Sequence, residues 1–301
     1  MHKKALLFIT LVALVVVMAG AALVVRNQFY GSAVHEESDL YVSSRCDYAA
    51  LRDTLARHIG HRWAFDRYAS RLELGRSFKP GRYLLRPGMN VIEVARMLKL
   101  GEQTPVRITF NNVRTPAQLA GKLGRQFDAD SASFARVLTS DSLARTLGFD
   151  SVTLFSMFIP NTYEFYWTAS PQEFVTRMKR EYDRFWAAGR DEKRDRSGLS
   201  RLEVMTLASI VYEETRKVDE MPRIAGVYIN RLRRGIPLQA DPTVKYAMQD
   251  FGLRRILYKH LKYPSPYNTY VNRGLPPSPI CMPSIDAVSY THLRAHETKA
   301  N

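Results

Sequence analysis

Two cysteines, Cys46 and Cys281, are all that this 301-residue chain holds. Two thiols so far apart in sequence make no disulfide framework and lack the paired spacing of a metal site, and the 7 histidines are scattered. The expectation is two free thiols, with no metal and no cofactor. Zinc-finger spacing, a phosphate-binding glycine loop and the basic and aromatic signature of RNA-binding modules are also missing, so nucleic acid is not the expected partner. Internal repeats and low-complexity stretches are absent as well. What remains is 46% hydrophobic, enough for a substantial core in one or two domains. A net charge of +15, from 44 Lys and Arg against 29 Asp and Glu, suits an anionic surface or polymer.

Residues 5–25 form an apolar run broken only by Thr10 and Gly20, with Lys3 and Lys4 before it and Arg26 after it. At ~1.5 Å rise per residue the run crosses a hydrocarbon layer of ~30 Å. Ala19-Gly20-Ala21 offers small residues of the signal-cleavage type, but the run exceeds the ~7 to 15 residues of a signal core, which favours a retained anchor. The two lysines keep residues 1–4 as a cytoplasmic tip and send everything after Asn27 to the outer side of the inner (plasma) membrane.

A dense apolar stretch begins at Ser200-Arg201-Leu202-Glu203, the S-x-x-E pattern of a helix start, and ends at Glu213 and Glu214. Leu202, Val204, Met205, Leu207, Ala208, Ile210 and Val211 are apolar on more than one face, as in a helix enclosed by protein. Adjacent helical residues point about 100° apart, so one carboxylate can face solvent while the other faces the interior. A carboxyl held against apolar neighbours keeps its proton toward neutral pH and can hand it to a glycosidic oxygen. Glutamates at helix ends are also commonly just solvated, and spacing alone does not separate the two readings.

The wording of the motifs does. Ala208-Ser209-Ile210-Val211-Tyr212-Glu213-Glu214-Thr215, Ile229-Asn230-Arg231-Leu232, Leu238-Gln239-Ala240-Asp241-Pro242-Thr243-Val244, Tyr267-Asn268-Thr269-Tyr270 and Gly274-Leu275-Pro276-Pro277-Ser278-Pro279-Ile280 together resemble the YceG-like (MltG) endolytic murein transglycosylases. Matching by residue puts the family's catalytic glutamate at Glu214, with Tyr212 and Glu213 standing where relatives often carry Glu and Lys. The resemblance implies an α+β fold in three parts: a single N-terminal transmembrane helix, a small LysM-like module over 27–110, and a mainly helical catalytic domain over 111–287. Residues 288–301 read instead as a translated sequencing adapter, an expectation that leaves the catalytic domain truncated at its C-terminus. Asn161 stands where the family's block carries Asp. The implied activity is cleavage of peptidoglycan glycan strands after N-acetylmuramic acid, with the sugar's own C6 hydroxyl as nucleophile, near peptidoglycan synthases. Gln239, Asp241, Tyr267, Asn268 and Tyr270 become candidate sugar contacts. Rival readings are Asp241 as a helix cap, prolines and aromatics bracing a loop, a glycan-binding protein without turnover, and a hydrolase with Asp241 as its second carboxylate.

In chain order, helical patterning is expected over 47–74 with Leu51, Leu55, Trp63, Phe65 and Tyr68 in the core, then a strand at 82–85 and an Asn90-capped helix to Leu100 closed by Gly101. A strand at 106–110 precedes helices from Thr115-Pro116, over 131–138 and over 141–147. Ser170-Pro171 opens a helix with an aromatic stripe, and 189–198 reads as a charged linker or exposed loop. A helix from Asp219 and Pro222 carries Ile224, Val227, Tyr228 and Leu232 as its apolar face.

Overall fold

The structure is a computed structural model that describes residues 2–111 and 113–297. By its internal contacts the chain divides into two units, one made of residues up to Val106 together with Glu164–Thr168, the other of Arg107–Tyr163 together with the residues from Ala169 onward.

The first unit opens with the helix His2–Tyr30, whose stretch Leu6–Tyr30 is long and apolar enough to cross a membrane. The helix runs past the apolar run read from sequence, because Phe29 finds a partner: its ring meets Trp63 edge-on at 5.8 Å. Trp63 is therefore a surface platform, 59% exposed, and not the core residue its sequence position suggested. Beyond the helix, the N–H groups of Ala33 and Val34 both donate to the carbonyl of Met89, at 2.8 and 3.0 Å. Strand β1 (Ser38–Val42) then pairs antiparallel with β2 (Gly81–Leu85), Ser38 opposite Leu85 and Val42 opposite Gly81. Their alternation turns Leu40, Val42, Tyr83 and Leu85 inward onto Leu51, Leu55, Phe65, Leu74, Val94 and Leu98. Each such side chain contributes about 1.5–3 kcal/mol of burial. Val94 and Leu98 come from the helix Val91–Leu100, where Asn90 and Glu93 satisfy each other's free backbone groups and Gly101 takes the left-handed turn at φ +74°.

In the second unit one ring organises the core. Phe174, on the helix Pro171–Ala187, lies 5.8–6.0 Å from the rings of Phe110, Phe127, Phe134 and Phe158, drawn from four separate segments. Strands β3 (Val106–Phe110) and β4 (Asn161–Phe165) make a second two-stranded sheet, clipped by Thr109 and Thr162 hydroxyls 2.8 Å apart.

Residues 189–198 are not a loop. They form the helix Arg190–Ser197, bounded by Gly189 and Gly198 at φ +75° and +76°. Its stability comes from charge pairs that an apolar-periodicity reading cannot see: Asp191 with Arg194 at 3.2 Å, and Asp191 with Arg201 on the next helix. The central helix Arg201–Glu214 starts at the Ser200 cap with the reciprocal Glu203 bond and buries eight consecutive residues, Val204 through Val211. Next, Met221–Arg233 turns a different face inward from the one read in sequence. Met221, Ala225, Tyr228 and Ile229 are buried, whereas Val227 is 51% exposed. The helices Asp241–Met248 and Ile285–Glu297 follow. Ile285–Glu297 lies against the central helix, Met221–Arg233 and Arg190–Ser197, with Ala287, Val288 and Thr291 buried.

Candidate active site

The central helix ends in two carboxylates that meet different surroundings. Glu213 is only 13% exposed along its side chain, gripped by Arg114 at 2.9 Å and Arg216 at 3.0 Å. Glu214, the last helical residue, keeps an open solvent edge while protein crowds it from behind. That crowding desolvates the charge and pushes its carboxyl above the usual carboxylate range. The negative charge of Asp241 pushes the same way, while the Tyr228 hydrogen bond and Lys245 pull it back. The sequence reading set the proton-keeping carboxyl against an apolar wall. Burial is the leading cause of its shift, with the Tyr228 hydroxyl as its hydrogen-bond partner, and the more enclosed glutamate is the doubly ion-paired Glu213.

Tyr228 donates to Oε1 of Glu214 at 2.7 Å. One turn further along Met221–Arg233, on the same face, Arg231 reaches the Leu238 carbonyl at 2.6 Å, the Pro237 carbonyl at 3.2 Å and Gln239 Oε1 at 3.2 Å. One helix face therefore supports Glu214 and shapes the turn that carries Gln239. Gln239 sits in the left-handed region at φ 55°, with its N–H donating to the Thr269 carbonyl at 3.1 Å.

Asp241 is not a helix cap. Ala240 occupies the cap position and Asp241 is the first helical residue, its Oδ1 accepting from the Tyr270 hydroxyl at 2.6 Å. Burial and the neighbouring carboxylates push Tyr270 up to about 12, so it remains a donor. Beneath this pair the segments around Asp241 and Tyr270 are stitched through two buried threonines: Thr243 and Thr269 hydroxyls lie 2.8 Å apart, and the Ala240 N–H donates to Thr269 Oγ1 at 3.0 Å.

Of the six residues chosen from sequence, Glu214, Asp241, Gln239 and Tyr270 are linked through this network. Tyr267 has no such link among the described residues, and Asn268 touches the network only as a brace, its Oδ1 accepting from the Tyr270 N–H at 3.0 Å. Asn268 is fully buried and donates to the carbonyls of Leu261 and Tyr263 at 3.0 and 2.8 Å, bracing its own loop. Tyr267 packs on Tyr246 with 4.8 Å between ring centres and shares a 2.6 Å bond with Ser278. The bracing reading of that loop describes these two. The segment 274–280 docks through its last residue: the Ile280 N–H donates to the buried Ser209 hydroxyl at 3.0 Å, and the fully buried Cys281 lies beside it as a free thiol. Cys46 is free as well. A cleft of about 550 Å³ in the first unit, lined among others by Tyr48, Arg52, Asp66 and Arg76, holds none of the candidates.

Sequence reasoning missed Tyr228, Arg231, Lys245 and the threonine pair as parts of the site. Tyr228 was visible only as one member of an apolar face; a hydroxyl at a buried position was the available signal, since such a group needs a partner.

The fold is mixed and helix-rich, and at the end of its central helix stands a solvent-edged carboxyl raised above the ordinary carboxylate range. The YceG-like family model matches residues 40–297, and the chain belongs to the YceG-like family. The endolytic murein transglycosylase of Bacillus subtilis (strain 168) is 48% identical over 77 residues, 26% of this chain and 21% of that protein. That of Streptococcus pneumoniae serotype 2 (strain D39) is 40% identical over 90 residues, 29% and 16% of the respective chains. The matches therefore span about a fifth or less of those relatives' length. The crystal structure of a YceG-like protein from Listeria monocytogenes has the same fold, with a TM-score of 0.59 and 24% identity over 85% of this chain and 90% of that one.

Proposed function

We propose that this chain is a membrane-anchored endolytic lytic transglycosylase that cleaves the MurNAc–GlcNAc bond of peptidoglycan, with Glu214 as its acid and base. The observation that carries the reading is Glu214 itself, open to solvent yet holding its proton above the ordinary carboxylate range at the motif position of the family's glutamate. In the reaction Glu214 gives its proton to the glycosidic oxygen as the C1–O bond breaks. The C6 hydroxyl of the same sugar then bonds to C1, and its proton returns to Glu214. No water is consumed and a 1,6-anhydro end remains, so one carboxyl suffices. Gln239, Asp241 and Tyr270 contact the sugar, and Asp241 supplies negative charge as C1 becomes electron-poor.

The helix His2–Tyr30 anchors the protein in the plasma membrane with the remainder outside the cytoplasm, where nascent strands and their synthases lie, and the module over 27–110 helps to position glycan. The influence of Asp241 on Glu214 favours one second reading, a hydrolase with two carboxylates. Mass spectrometry of fragments released from purified peptidoglycan decides between them. Anhydro ends that vanish in Glu214→Gln support the transglycosylase, reducing ends support the hydrolase, and binding without fragments refutes both.

A further inference from the structure

We propose that Tyr228 is a positioning residue that fixes which oxygen of Glu214 carries the transferable proton. This rests on Glu214 being the acid, as proposed above. The Tyr228 ring is 8% exposed and held within the face that Met221–Arg233 buries, and its hydroxyl donates to Oε1 at 2.7 Å. In a protonated carboxyl the carbonyl-type oxygen is the better acceptor, and an oxygen that receives a donor from one side is the poorer place for the proton. Oε1 is thereby committed as acceptor and the proton resides on Oε2, so substrate meets a single protonation isomer.

Tyr228 is suited to the task because burial and the adjacent Glu214 push its own pKa far up, and it stays a donor across the working range. The other groups acting on Glu214 are Asp241 and Lys245; Tyr270 and Arg231 act on Tyr228. Among the described residues, Tyr228 is the hydroxyl that donates to Oε1. Removing the Tyr228 donor therefore has two separable effects. The carboxyl loses a bond that favours its ionised form, so its titration moves up, and it loses its fixed geometry, so turnover falls.

The test uses the full chain in lipid nanodiscs and compares wild type, Tyr228→Phe and Glu214→Gln. Phenylalanine keeps the ring and its packing, and a thermal melt checks that it does. Tyr228→Phe is expected to lower kcat by about 10- to 100-fold with KM within about twofold, and to shift the alkaline limb of the pH profile upward. Carboxyl ¹³C NMR, with the Glu214 signal assigned by its loss in Glu214→Gln, should show the same upward move without any substrate. A KM rise at constant kcat overturns the proposal by making Tyr228 a sugar contact. An unmoved titration with unchanged kcat overturns it outright. Should Glu214→Gln still release anhydro fragments, the assignment of the acid fails. With Glu214→Gln inactive and the Tyr228→Phe profile in place, only the role of Tyr228 falls.

Discussion

Tyr270 and Asp241, 29 positions apart in the sequence, share a 2.6 Å hydrogen bond that joins two of the chain's motif blocks at the candidate site. If the pair acts as a unit, Tyr270→Phe and Asp241→Asn should not add. A double-mutant cycle on kcat/KM is expected to give a coupling of roughly 0.5–3 kcal/mol, and strict additivity would show that the two contact substrate independently.

Glu213 and Glu214 should separate chemistry from stability. Glu214→Gln is expected to lower product release by about 10²-fold or more while the fold persists. Glu213→Gln weakens the links to Arg114 and Arg216, whose nitrogens lie 2.9 and 3.0 Å away, and should lower stability by about 1–3 kcal/mol with far less effect on turnover. Urea melts beside product assays check both; a Glu213→Gln variant that melts normally but releases nothing would reverse the assignment.

The raised titration of Glu214 has a thermodynamic sign. Its proton is held more tightly in the folded than in the unfolded chain, so its contribution to stability is complete below the ordinary carboxylate value of 4.5 and is lost as pH rises through the folded value. At neutral pH the crowded carboxylate therefore works against folding. Glu214→Gln should melt at a higher temperature than wild type near pH 7, with the gap closing toward pH 4. Equal melting temperatures across that range would contradict the raised value.

Gln239 offers a test of strain. A side chain at φ 55° costs roughly 1 kcal/mol that glycine does not incur. Gln239→Gly is expected to match or exceed wild-type stability, whereas Gln239→Ala keeps the strain, loses the Arg231 contact and should fall below it. Both should raise KM if the amide meets sugar. Calorimetry with Michaelis–Menten assays reads the two effects separately.

Local signals carried much of the fold. The Ser200–Glu203 box and the Asn90 cap marked helix starts that the structure reproduces, because a cap is written within four residues. Strand β1 was missed since its partner β2 lies some forty residues away and five residues hold too little pattern. The helix Arg190–Ser197 was read as loop because ion pairs, not an apolar stripe, maintain it. The motif wording singled out Glu214 and Asp241 as candidates, but no sequence window reveals that Arg114 clamps Glu213 across 99 positions or that Thr243 meets Thr269. Those contacts exist only once the core has brought the segments together.

The way the first helix ends bears on mechanics. There is no slack between the apolar stretch and the rest of the first unit: the Gly31 N–H closes on the Asn27 carbonyl at 2.8 Å, Phe29 leans on Trp63, and Ala33 and Val34 are already tied to Met89. With the helix embedded in a bilayer, such a junction behaves as a stiff mount rather than a leash. Under the anchoring proposed above, the rest of the first unit would tilt with the helix and ride at one height above the lipid, and helix length rather than diffusion on a tether would set the distance from the membrane at which it meets its surroundings.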